Sequence, residues 1–136
     1  MKRFLLTAYH CSPGEFWLAG ILILRGLWFA LPGDSLANPA YAGLLSLAYR
    51  VGARGYVEEW WGAVHIALGL SCWLALSRGW GRGRIVVSAF SAGLWGLFFS
   101  LFFQADPMIA ALPLYSGFIA AHLWICTQLD WRRHDK

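Results

Sequence analysis

The chain has 136 residues, 59% hydrophobic and only 13% charged, whereas a water-soluble domain averages about 45–50% apolar and about 25% charged. Its formal net charge of +4 comes from cations gathered in short loops beside apolar runs, which argues against a nucleic-acid-binding face and for a lipid bilayer as partner. The three cysteines, Cys11, Cys72 and Cys126, lack CxxC spacing, so neither a disulfide framework nor a paired Cys/His metal site is expected.

Lys2 and Arg3 open a short amphipathic lead-in that ends at the turn signal Ser12-Pro13-Gly14. Its apolar patch is too short for a signal peptide, and Tyr9 and His10 are too bulky for a lipobox before Cys11, so the N-terminus is expected to be retained. The run Phe16 to Leu31 then predicts a first span at about 15–32, with Glu15 at its positive end and Pro32-Gly33 as its stop. A single cation, Arg25, falls near the middle of that run.

Between the first two spans, Asn38-Pro39 reads as an N-cap followed by proline at the first helical position. Tyr41, Leu44, Leu45, Ala48 and Val51 follow at helical spacing, with Ser46 and Arg50 on the other side. That pattern predicts an amphipathic interfacial helix over about 38–52. Glu58 and Glu59 precede Trp60 and Trp61, expected as interface anchors of a second span at about 60–77. A basic, glycine-rich loop from Arg78 to Arg84 leads to span three, about 85–103. Asp106-Pro107 is another cap-and-proline start, opening span four at about 108–129, and Trp131 closes it as a third anchor.

The expected architecture is therefore all-α, a polytopic membrane protein with four transmembrane helices in one integral-membrane domain, 1–136. Lys2, Arg3, Arg78, Arg82, Arg84, Arg132, Arg133 and Lys136 fall on one side of four crossings. The other side sets Arg50 and Arg54 against Asp34, Glu58, Glu59 and Asp106. The positive-inside rule then places both termini in the cytoplasm.

Burying an arginine at mid-membrane costs roughly 2.5–3.5 kcal/mol on insertion scales. Arg25 must therefore face protein or water, as a clamp onto a neighbouring helix or as a pore-lining or ligand-binding cation. His65, and Tyr115 with His122 on one face of span four, read as further intramembrane polar groups, either interhelical hydrogen-bonding contacts or proton relays. The two histidines differ in depth by more than about 10 Å at about 1.5 Å per residue, too far to ligate one haem iron within a subunit. No cofactor is expected on this reading. Small residues recur at every fourth position on span two (Ala63, Ala67, Ser71, Ala75) and on span three (Ser88, Ala92, Gly96, Ser100). Such stripes serve close helix packing within a subunit or an oligomer interface. GxSxG, HExxH, phosphate-binding loops and paired mid-membrane acids are all missing from the sequence, and the expectation is a protein without catalytic residues.

Leu31-Pro32-Gly33-Asp34 after span one, Tyr41, Glu59-Trp60-Trp61-Gly62, the basic segment Arg82 to Arg84 and Trp95 follow one another in a characteristic order. In this the chain resembles small four-span membrane proteins encoded by tailed phages and prophages. The resemblance implies a bacterial inner membrane and a role in infection, lysis or exclusion of competing phages, with no catalytic residue to carry over. The leading expectation is a self-associating, holin-like membrane effector. The alternatives are an accessory or scaffold subunit bound to another membrane protein, and a redox subunit holding haem or quinone.

Overall fold

Apolar residues on every side of a helix leave it no wet face, and such helices must bury themselves in protein or lipid. In a computed structural model of the chain, which describes residues 12–31, 41–50, 52, 56–105 and 112–134, the apolar runs form helices and the described residues contain no strand. The helices are α1 (Pro13–Ala30), α2 (Ala42–Arg50), α3 (Val57–Ser77), α4 (Gly81–Ala105) and α5 (Leu112–His134). Two of them, Val57–Ser77 and Gly81–Gln104, are long and apolar enough to cross a membrane. The stops and caps expected at Pro32-Gly33, Asn38-Pro39 and Asp106-Pro107 lie outside the described residues, as does the basic N-terminal lead-in.

Local chemistry sets several boundaries. Pro13 occupies the first turn of α1, where its missing N–H does no harm, and the Phe16 N–H bonds the Ser12 carbonyl at 3.0 Å. The end of α3 is a Schellman motif. Gly79, at φ +63°, takes the left-handed position, the Trp80 N–H reaches back to the Ala75 carbonyl, and the Gly79 N–H to that of Leu76. This one glycine turns the chain, so α4 begins at Gly81. The expected loop over 78–84 is thereby shortened, and Arg82 and Arg84 stand in the first turn of α4.

The helices associate as two antiparallel pairs. In the first, α1 meets α3 through Ala19 and Gly26 on one side and Gly62 and Gly69 on the other. A Cβ on Gly26 would lie 2.6 Å from the Gly62 carbonyl oxygen, and one on Gly69 would lie 2.7 Å from that of Ala19. Small residues seven apart on both helices let the backbones touch. In the second pair α4 and α5 are zipped by Trp95 stacking on Tyr115 and Phe102 stacking on Tyr115, at 5.6 and 5.3 Å between centroids. The pairs join across α3 and α4, and α2 lies over both of these helices. Between them sits an aromatic core of Phe29, Trp61, Trp95, Phe98, Phe102 and Tyr115, all buried.

Two expectations need correction. Trp61 is a core residue, 2% exposed and packed edge-on against Phe98, whereas Trp60 is only partly covered. The tandem tryptophans face different surroundings because successive helical residues point about 100° apart. The stripe on α3 does not meet the stripe on α4 along its length: Ala63, Ala67 and Ser71 are exposed and only Ala75 is buried. The glycine seam one position away directs that part of α3 onto α1 instead.

Candidate functional site

The polar side chains inside the bundle fall into two centres. The first surrounds Arg25 on α1. Its guanidinium donates from Nη2 to the hydroxyls of Tyr41 and Tyr115, each at 3.2 Å, and lies 4.6 Å from the Trp28 ring and 4.9 Å from that of Phe29. Tyr41 stands at the start of α2 and Tyr115 in the first turn of α5, so one cation ties together three elements distant in sequence. Oxygen acceptors and π-faces around a guanidinium replace part of its hydration, making a cation tolerable away from water.

His65 lies beside this centre. It is fully buried, its Nδ1–H donates to the Trp61 carbonyl at 2.8 Å, and Phe29, Trp95 and Phe98 surround the ring. The local bond selects the Nδ1–H tautomer and leaves Nε2 without a partner among the described residues.

The second centre gathers at the other end of the bundle, where α1 begins and α5 nears its end. Glu15 and Arg84 form a bidentate ion pair there, with Arg84 Nε 2.8 Å from one carboxylate oxygen and Nη2 on the other. Both side chains are mostly covered, at 13% and 18% exposure. Behind the pair His122, Cys72, Ser88 and Ile125 enclose a void of about 10 Å³, roughly the space one water needs. His122 is 1% exposed, and neither ring nitrogen has a hydrogen-bond partner among the described residues. Cys72 approaches the Ser91 hydroxyl at 3.9 Å, and the Cys126 thiol donates to the Ile85 carbonyl at 3.5 Å.

In front of the same ion pair the bundle is open. α1 and α5 diverge, leaving a groove of about 720 Å³ between them that runs past Leu18, Ala120, Ala121, Trp124 and Ile125. Trp124 is 65% exposed.

Of the residues singled out from sequence, Arg25 and Tyr115 come together, and His65 lies close by across the Phe29 ring. His122 belongs to the other centre, facing Cys72, which stands two helical turns from His65 on α3. On α4, Ser88 and Ala92 are buried, Gly96 is partly covered and Ser100 is exposed. The backbone at Trp131 is helical, and its side chain is outside the described residues. Sequence reasoning missed the Glu15–Arg84 pair, having read Glu15 as a helix-end charge and Arg84 as a loop cation. It also missed the α1–α3 seam. The repeat of small residues seven apart on two successive apolar runs was the signal available for that seam. No family model, curated protein or solved structure matches the chain.

Proposed function

We propose that this chain is a four-span integral protein of a bacterial inner membrane, with both termini in the cytoplasm, and that it acts without catalysis. Its outer helix faces serve self-association, in the manner of a phage-type membrane effector. The distribution of polarity carries this reading. Arg25, His65, His122 and the Glu15–Arg84 pair are turned inward, while Trp17, Leu24, Phe90, Leu114 and Leu123 are more than half exposed. Water would punish that arrangement, and a bilayer rewards it. At about 1.5 Å per residue, the 18 residues of α1 and 23 of α5 reach about 27 and 34 Å, close to a hydrocarbon core of about 30 Å.

Arg25 in an aromatic cage is a clamp and does not line a channel through one subunit. Any lesion in the membrane would form between subunits. The uncovered small residues Ala63, Ala67 and Ser71 on α3 are suited to such contacts, because lipid supplies no hydrophobic drive and close backbone approach must hold helices together. Single-molecule photobleaching in vesicles tests this, with dye release in parallel. Multiple bleaching steps are expected, falling toward one in Ala67→Leu, whose folding stability should change by no more than about 0.5 kcal/mol. A single step at high protein density contradicts self-association.

The alternative role, an accessory subunit, draws on the exposed side of α2, where Ala42, Leu45, Ser46, Tyr49 and Arg50 line a shallow hollow. Co-purification of a stoichiometric membrane partner, lost on Tyr49→Ala, would favour it.

A further inference from the structure

The groove between α1 and α5 is an open recess, more apolar than polar, that adjoins a buried side chain without hydrogen-bond partners among the described residues. Small-molecule sites are typically recesses of about 300–1,000 Å³ with mostly apolar walls and a few placed polar groups. At about 720 Å³ the groove falls in that range. Buried imidazole nitrogens without partners are rare, because each loses its hydration for nothing. His122 has two among the described residues, and it lines a void that shares three of its walls, Glu15, Arg84 and Ile125, with the groove.

We propose that this groove binds the head of a membrane quinone or quinol, with the isoprenoid tail leaving sideways into lipid. The charge balance selects an uncharged head. Glu15 and Arg84 cancel one another, so a phosphate approaching Arg84 meets the Glu15 carboxylate as well. Arg84 commits Nε and Nη2 to Glu15, which leaves the Nη1 donors for a ring oxygen. His122 reaches that oxygen through the void, which is large enough for one bridging water. The walls suit a flat ring. Gly14, Ala120 and Ala121 project little, and the exposed indole of Trp124 offers a stacking face. Only binding is inferred; it rests on the membrane-spanning reading and stands independently of self-association.

The full-length protein in phosphatidylcholine nanodiscs is titrated with decylubiquinone, and tryptophan quenching is read against Trp124→Phe to isolate one of the nine tryptophans. Saturable quenching of Trp124 is expected. His122→Leu should weaken apparent affinity about tenfold, the worth of roughly one hydrogen bond. Ala120→Phe, at an exposed wall position, should abolish saturation with unchanged thermal melting. If His122→Leu does not fold, Ala120→Phe decides alone. Non-saturating quenching, or saturable binding that either folded variant leaves intact, overturns the proposal. Displacement of decylubiquinone by phosphatidylglycerol in the discs also overturns it, because the site would then prefer an anionic head.

Discussion

The two polar centres solve the same problem in opposite ways. Around Arg25 the cation is met by two hydroxyls and two ring faces, its Nε has no partner among the described residues, and Phe29, Phe98 and Phe102 close the space about them. Around His122 the ion pair is satisfied, but the imidazole has no partner among the described residues, and an open groove lies on the other side of the pair. Both centres keep buried nitrogens without partners among the described residues, so enclosure is what separates them. A centre closed in by rings holds elements together. A centre beside an open groove has capacity left for something else. The difference separates the clamping geometry of Arg25 from the binding role proposed for the Glu15–Arg84–His122 group.

That comparison breaks most completely if the seam holding α1 in register is destroyed, since α1 carries both Glu15 and Arg25. Gly62→Leu pushes a side chain into backbone, where a Cβ alone would lie 2.8 Å from the Gly26 carbonyl oxygen. A loss of about 3 kcal/mol is expected, read as loss of the monodisperse folded species in thermal size-exclusion chromatography. Next comes Arg25→Ala, which orphans the hydroxyls of Tyr41 and Tyr115 and removes both ring contacts. It should destabilise by about 2 kcal/mol, while quinone titration of the surviving folded fraction stays unchanged.

Glu15→Gln leaves Arg84 mostly covered and without its counter-charge, and about 1–2 kcal/mol is expected from a pair that is neither fully buried nor exposed. The double variant Glu15→Gln, Arg84→Gln should recover part of the loss, and a double-mutant cycle measures the coupling. Smallest is Tyr115→Phe. It removes one of two hydroxyl acceptors and keeps the stacked ring, so about 0.6–1 kcal/mol is expected, the usual worth of a hydrogen bond between membrane helices. If Tyr115→Phe matched Arg25→Ala, the rings and Tyr41 would contribute nothing and the enclosed centre would be misdescribed.

The all-helical character and the order of elements were legible in the sequence because apolar runs and proline or glycine punctuation are local signals. So was the need for Arg25 to be covered, which follows from the energetics of a cation in an apolar run. Its partners were not legible: Tyr41 and Tyr115 stand 16 and 90 positions away, and nothing local marks a hydroxyl that will meet a guanidinium. The same limit hid Glu15 from Arg84, 69 positions apart. Gly79, Gly81 and Gly83 looked like one long turn, yet only Gly79 has a positive φ, and the Schellman bonds leave the other two free to begin a helix. Trp61 read as an anchor because of its neighbours in sequence, whereas in space it packs edge-on against Phe98, 37 positions away.

The most direct test of a cation held inside the bundle is the environment of one guanidinium in lipid. Solid-state NMR on protein labelled at arginine and tyrosine, in deuterium-free bilayers, reads the through-space contacts of Arg25. Cross-peaks from its guanidinium to the rings of both Tyr41 and Tyr115, each lost in the corresponding truncation Tyr41→Ala or Tyr115→Ala, are the predicted result. Cross-peaks to acyl-chain protons in place of tyrosine would contradict it.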